Sequence, residues 1–351
     1  MHDLPTFLST IGQEVEDADE ESFLIFSQTI PSSNLGFVDA KTSSVDITIH
    51  DHEYTIHQSP TLLSSSRKGG TTGAVLWKIT PLFASWISDK SSNPLWADTE
   101  SNALLTPSSP IVELGCGISA LTALSLSTCL DSSLGGHYLA TDQEYVQRLF
   151  RQNLASNPPR AHLSGTGSGR NSGSRGKGKG SSKSKGSAST SSTSGTGQEK
   201  DHSHHAHSNI TFTSLDWETD IPDTLKQQIP SYSGNERGEG DEGEEGEDKG
   251  FDLLLSCDCI YNEALIGPFV RTCADIARLR PSTSSRSDLG EGRGRKPTIC
   301  IIAQQQRSPD VFEAWLRETM RNFRVWRVND DILGGKMGIG SGYLVHALLL
   351  K

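Results

Sequence analysis

From Pro110 onward, short apolar runs alternate with stretches that are apolar at helical spacing, and this alternation constrains the fold more than any other feature. Ile111-Val112-Glu113-Leu114 reads as a short buried strand ending at Gly115. Residues 119–130 are apolar at helical spacing, and 137–141 read as the next strand. A helix over 142–157 sets Val146, Leu149, Phe150 and Asn153 on one side. Strands are expected at 210–215, 251–256 and 298–303, with helices at 264–279 and 309–322. Two adjacent strands, 324–328 and 343–350, finish the chain, and the last is expected to insert antiparallel. Such a series folds as a mostly parallel sheet covered on both faces. The expected class is α/β and Rossmann-like, with a seven-stranded sheet.

Upstream, Val45, Ile47 and Ile49 alternate with polar residues, as do Tyr54 and Ile56 after the Asp51-His52-Glu53 break. That is period two on both sides of a short turn, a β-hairpin. A helix over 79–88 should bury Trp86 and Ile87. The first thirty residues are acidic and weakly patterned, so 1–36 stays unassigned. The reading for 37–350 is one domain interrupted at 158–208, 234–250 and 281–296 by Ser, Gly and charged residues. These insertions bury too little apolar surface to offset the entropy of ordering them. Their basic run at 160–185 and acidic run at 236–248 read as solvated loops.

A formal net charge of −11 argues against general affinity for nucleic acid or an anionic membrane. No apolar run is long enough to span a bilayer. The six cysteines form no C-x-x-C pair, and no signal peptide opens the chain, which favours a reducing setting. The expected location is the cytoplasm, with the nucleus as a second setting. A monomer is expected because no spare apolar helix face stands out. His202, His204, His205 and His207 cluster without supporting ligands, so no metal site is expected.

Glu113-Leu114-Gly115-Cys116-Gly117 lies at the first strand-to-helix junction of the alternating region. Ligands of open α/β sheets bind at the carboxyl ends of strands, near this point. Gly115 and Gly117 let the backbone approach a ligand, and the helix start offers free N–H groups. Asp142 ends the next strand, where a carboxylate accepts hydrogen bonds from both ribose hydroxyls. Asp216-Trp217 ends the third, where a carboxylate suits the adenine amino group and an indole its face. Together they describe an adenosine site. Gly115-x-Gly117-x-x-Ala120 also satisfies the looser dinucleotide fingerprint. Glu113, however, would repel a pyrophosphate and suits an amino-acid tail beside a cationic sulfonium, which favours S-adenosylmethionine.

Four motifs make the chain recognisable: Gly73-Ala74-Val75-Leu76-Trp77, Glu113-Leu114-Gly115-Cys116-Gly117, Leu215-Asp216-Trp217 and Asp258-Cys259-Ile260-Tyr261. They resemble the seven-β-strand protein-lysine methyltransferases, the methyltransferase-like twenty-one group, and within it the fungal ribosomal-lysine branch. The resemblance covers roughly 37–157, 209–230 and 251–350. It implies that Trp77, Gly115, Cys116, Gly117, Asp142, Trp217 and Cys257 line the cofactor site, with Glu113, Asp216 and Ser256 beside them. It also implies that Asp258 and Tyr261 face the incoming amine. Ser119 stands where the group often has a third glycine. The hairpin residues Tyr54 and Gln58 would, by the same analogy, shape the substrate entrance.

The implied activity is methylation of a lysine on a protein, with a large-subunit ribosomal protein as substrate. Chaperones, elongation factors, a small molecule, or a non-catalytic scaffold role are the alternatives. A lysine amine, with a pKa of about 10.4, must lose its proton before attacking a methyl carbon. Asp258 would orient the amine, and Tyr261 would wall the channel. Gln304, Gln305, Gln306 and Arg307 either contact substrate or solvate a strand end; the sequence leaves both open.

Overall fold

The computed structural model describes residues 4–30, 35–67, 70–96, 103–159, 207–229, 250–280 and 296–351. The three insertions therefore lie almost wholly outside the described residues, as do His202, His204 and His205. The chain begins with α1 (Leu4–Ile11), β1 (Gly12–Glu14), α2 (Ala18–Phe26), the hairpin β2 (Ser44–Ile49) and β3 (His52–His57), and α3 (Pro60–Leu63). Then come α4 (Ile79–Ser88), β4 (Pro110–Leu114), α5 (Leu121–Ser127), β5 (His137–Asp142), α6 (Gln147–Ser156) and β6 (Ile210–Ser214). The rest is β7 (Leu253–Cys257), α7 (Ile266–Arg278), β8 (Ile299–Gln305), α8 (Pro309–Asn322), β9 (Phe323–Val328), α9 (Asp330–Leu333) and β10 (Tyr343–Leu350).

The central sheet has the order β1-β9-β10-β8-β7-β4-β5-β6. Strands β8, β7, β4, β5 and β6 run parallel, and β10 inserts antiparallel between β8 and β9, as expected. Parallel strands covered on both faces must be apolar on both, and they are. Ile111, Leu253, Leu255, Ile299 and Ile301 enter the core under α4, α5 and the hairpin. Their neighbours Val112, Leu254, Cys300 and Ile302 enter the other, shared with Phe269 and Ile276 of α7 and Trp315 of α8. That division is the period-two alternation of strand side chains.

The sheet has eight strands, one more than expected. The extra strand, β1, pairs antiparallel with β9 through Gly12, Gln13 and Glu14. Gly12 allows the approach, since a Cβ there would lie 2.6 Å from the Arg327 carbonyl oxygen. The acidic start is therefore part of the domain: Leu8 and Ile25 are fully buried. Helix α2 is capped by Asp17, whose side chain accepts the N–H groups of Asp19 and Glu20.

Helix α5 is shorter than expected because Ala120, at φ +55°, turns the chain left-handed just before it. Ile87 is fully buried, but Trp86 is only half-buried, its indole N–H donating to the Ile332 carbonyl at 3.0 Å. The expected entrance role of Tyr54 and Gln58 is not what their surroundings support, for both are buried. Gln58 clamps three backbone segments, donating to Asp39 and Thr42 carbonyls and accepting the Leu76 N–H. The hairpin is pinned to α6 by Asn153, which accepts the His57 N–H at 2.7 Å, and by Asn157, which accepts that of Thr55 at 2.9 Å. No helix among the described residues is long and apolar enough to cross a membrane.

Candidate active site

The turn after β4 is built around two glycines in the left-handed region, Gly115 at φ +69° and Gly117 at φ +61°. At Gly115 a Cβ would sit 2.3 Å from the Cys259 sulfur and 3.3 Å from the Trp217 ring. The position needs glycine for both conformation and space. The Gly115 and Cys116 N–H groups donate to the Thr141 carbonyl at 2.9 and 3.1 Å. The Ile118 N–H donates to the Gly73 carbonyl at 3.0 Å, which draws the Gly73–Trp77 segment over the turn.

Along the carboxyl edge the order β6-β5-β4-β7-β8 sets Asp216-Trp217, Asp142, the glycine turn, Asp258 and Arg307 in sequence. Neighbouring strands lie about 4.8 Å apart, so β6 to β7 spans about 14 Å. That suits a nucleoside bearing an amino-acid tail. A cavity of about 380 Å³ opens on this edge, its walls including Trp77, Gly115, Asp142, Trp217, Asp258 and Tyr261. Its size is that of a small-molecule site. Glu113, Cys116, Gly117, Asp216 and Cys257 also line it. Ser256 does not: it is fully buried in β7, one residue too early to reach the cavity.

The carboxylate of Asp142 accepts the Gly117 N–H at 2.8 Å and the Gln143 N–H at 2.6 Å, one on each oxygen. Each oxygen keeps a lone pair for a ribose hydroxyl. Burial pushes Asp142 up to about 6, against the lowering effect of those two amides. Glu113 is buried and accepts the Tyr138 hydroxyl at 2.8 Å; burial pushes it up to about 7. Such a carboxyl gains most from a nearby cation. The Trp217 indole N–H is buried without a hydrogen-bond partner among the described residues, while its ring meets Phe269 edge-on at 5.1 Å. Asp216 accepts the Glu218 N–H at 2.9 Å, leaving its other oxygen for a donor such as an amino group. These residues fit S-adenosylmethionine.

At the β7 and β8 end, Asp258 is buried in a left-handed conformation, φ +64°. Both its carboxylate oxygens are held by Arg307, at 2.5 and 2.6 Å. The guanidinium lies over the Trp77 ring, 4.7 Å from its centroid. Trp77 packs on Phe37 at 4.2 Å and donates through its indole N–H to the Thr72 carbonyl at 3.0 Å. Tyr261 is part-exposed, and its hydroxyl accepts from the Thr72 hydroxyl at 3.2 Å.

Of the β8 end, Arg307 turns inward to Asp258, and Gln305 accepts the Gly36 N–H at 2.8 Å; Gln304 and Gln306 are buried. Tyr145 and Thr72 line the cavity without having been expected there. Tyr145 follows Asp142 by three residues, as the next turn of chain over the same strand end would require. Ser119 lies just before α5, its hydroxyl accepting the Leu121 N–H at 3.3 Å. Among the described residues no group of three or more His, Cys, Asp or Glu is placed to hold a metal; His207 meets the Asn157 carbonyl instead. All six cysteines are free.

No family model matches the chain. Ribosomal lysine N-methyltransferase 5 of Zygosaccharomyces rouxii is 25% identical over 294 residues, covering 81% of this chain and 76% of that protein. The protein of the same name from Vanderwaltozyma polyspora is 24% identical, over 90% of this chain and 95% of its own length. Over most of its length the chain is thus similar to fungal ribosomal lysine N-methyltransferases. A diaminohydroxyphosphoribosylamino-pyrimidine deaminase of Schizosaccharomyces pombe is 32% identical over 144 residues, 41% of this chain but only 32% of that protein. The H-x-E and P-C-x-x-C signature of zinc nucleobase deaminases does not occur in the 351 residues. Among solved structures, human N-acetylserotonin methyltransferase in complex with SAM matches 77% of this chain and 54% of its own, at 10% identity and a TM-score of 0.32. The relatives support a methyl-transferring enzyme, and the residues of the cavity fit S-adenosylmethionine as its methyl donor.

Proposed function

We propose that the chain methylates a lysine side chain of a large-subunit ribosomal protein. The observation that carries this reading is the shared cavity: Asp258, Tyr261 and Trp77 wall the space that the glycine turn and Asp142 also line. When bound there, S-adenosylmethionine supplies an electrophilic methyl group. Asp142 and Asp216 would hold the adenosine part, and Glu113 would favour its cationic end. Alignment of the acceptor nitrogen with the methyl carbon is then the protein's main contribution. Trp77, held between Arg307 and Phe37, walls the space for the lysine stem, and Tyr261 borders it with its ring. Oδ1 of Asp258 accepts from Arg307 and from the Gln305 N–H, while Oδ2 accepts only from Arg307, so Oδ2 can receive an amine N–H and orient the nitrogen. The names of the relatives support lysine and the ribosome as acceptor. Such a substrate is met in the cytoplasm, and also in the nucleus during assembly.

The test is transfer of labelled methyl from S-adenosylmethionine to purified ribosomes and to whole-cell protein. A single labelled ribosomal protein, mapped to lysine and weakened with Asp258→Asn, is expected. Label confined to a chaperone, an elongation factor or a small molecule would discard the ribosomal assignment.

A further inference from the structure

Arg307 was legible only as one residue of a polar strand end, yet the fold commits it fully. Its guanidinium meets both oxygens of Asp258 at 2.5 and 2.6 Å and stacks 4.7 Å from the Trp77 ring centroid. Asp258 is fixed from behind as well: its N–H donates to the Ala303 carbonyl at 2.7 Å, and it accepts the Gln305 N–H at 3.2 Å. Trp77 is tied through the Thr72 carbonyl, and the Thr72 hydroxyl reaches Tyr261. Asp258, Arg307, Trp77, Thr72 and Tyr261 are thus linked contact by contact, and four of them line the cavity.

An unpaired carboxylate in this position would work against amine methylation. It would stabilise the lysine as ammonium, which has no lone pair to give. A guanidinium bound through both oxygens offsets that charge and cannot itself be deprotonated. A cationic neighbour also lowers the pKa of an amine, as in enzymes that activate a lysine nucleophile. We propose that Arg307 is a positioning residue that keeps the incoming amine neutral, by holding Asp258 through both oxygens while stacked on Trp77. This rests on the lysine reading above. In the step it serves, the amine first gives a proton to water. The nitrogen lone pair then forms the N–C bond as the C–S bond breaks, and the C–S bonding electrons stay on sulfur, leaving a neutral thioether.

The other titratable groups facing this end are Tyr145, Tyr261, Tyr343, Cys257 and Cys259, with Glu113, Cys116 and Asp142 deeper in the cavity. Burial raises these phenols and thiols, so they stay protonated near neutrality. Glu113 and Asp142, at about 7 and about 6, would shape the acidic side of any profile. Their contribution should be common to all Arg307 variants.

The experiment is the pH dependence of kcat on ribosomes at saturating S-adenosylmethionine, for wild type, Arg307→Met, Arg307→Lys and the double variant Asp258→Asn/Arg307→Met. In Arg307→Met the acidic limb should move about one pH unit to the alkaline side, with activity regained at high pH and cofactor affinity unchanged. Arg307→Lys should hold the limb nearer wild type. The double variant has neither charge, so its limb should return toward wild type with lower kcat at every pH. If Arg307→Met does not fold, the double variant decides: a limb displaced as far as one unit overturns the proposal. A folded Arg307→Met with a loss equal at every pH also overturns it. A wild type that labels no lysine overturns the lysine reading itself, and the role of Arg307 falls with it.

Discussion

The Gly117 N–H donates to Oδ2 of Asp142 at 2.8 Å, joining the glycine turn after β4 to the end of β5. One contact thereby fixes two parts of the cavity wall, the glycine turn and the carboxylate proposed to take the ribose. It also explains why the two motifs, 25 residues apart, must be read together. Asp142→Ala should weaken S-adenosylmethionine binding at least about 10- to 100-fold, the loss of a single hydrogen bond to a charged group at about 1.5–3 kcal/mol, and more if both ribose bonds are lost. Calorimetric titration measures this directly. An unchanged Kd would place the ribose elsewhere.

Glu113 gives a pH prediction whose sign follows from its burial. Burial lifts it to about 7, and the hydroxyls of Tyr138 and Thr122 only partly oppose that. The folded chain therefore binds this proton more tightly than the unfolded chain, where Glu titrates near about 4.3. Ionising it costs the fold on the order of 3 kcal/mol above pH 7, and the cost fades as pH falls toward about 4.5. Without cofactor, Glu113→Gln should raise Tm by several degrees at pH 8 and progressively less toward acid pH. Thermal melts across that range would refute the idea if the variant were no more stable than wild type at pH 8.

Cofactor binding should show the opposite preference. A cation beside Glu113 favours its charged form, so wild-type affinity for S-adenosylmethionine should rise between about pH 6 and pH 8. Asp142, at about 6, adds to the same trend from the acidic side. Glu113→Gln should bind more weakly at pH 8 and with a flatter profile. A slope identical to wild type would mean that Glu113 does not sense the ligand.

Gly115→Ala tests the cradle. The left-handed conformation and the 2.3 Å approach to the Cys259 sulfur leave no room for a methyl group. Strain and overpacking together should cost about 2–4 kcal/mol, seen as a lower Tm, and cofactor binding should fall as the turn shifts. A variant as stable and as tight-binding as wild type would contradict the geometry.

The βα series, the antiparallel last strand and most of the residues that line the cavity were legible because each is a local pattern. Gly115 and Gly117 mark a turn, and Asp142 and Asp216 each close an apolar strand run. β1 was not legible: three residues, one of them Gly12, carry no periodicity, and their partners lie more than 300 positions away. The same distance hid the contact of Glu21 with Arg327, and 49 residues separate Asp258 from Arg307. The Asp-x-x-Tyr motif was visible, but its carboxylate's partner was not, because strand neighbours in a crossover sheet are set by topology. Ser256 was placed one residue wrongly relative to the end of β7, and alternation then turned it away from the cavity.

Glu21 tests whether the acidic start is part of the domain. It pairs with Arg327 at 2.6 Å, and both side chains are nearly buried. Burial acts to raise the Glu21 carboxyl, but the adjoining His346 and Arg327 side chains together hold it below its usual value. Glu21→Ala leaves a buried guanidinium unpaired and should cost about 3–5 kcal/mol. Denaturant unfolding would read this as a lower midpoint; no change would mean that α2 adds nothing to the fold.

The most direct test of the central claim is peptide mass mapping of ribosomal proteins incubated with the chain and S-adenosylmethionine, with Gly115→Ala as the binding-deficient control. The expected result is new methylation on lysine of one large-subunit protein, present with wild type and strongly reduced with the variant. Ribosomal lysines left unmodified by a wild-type protein that binds the cofactor would contradict it.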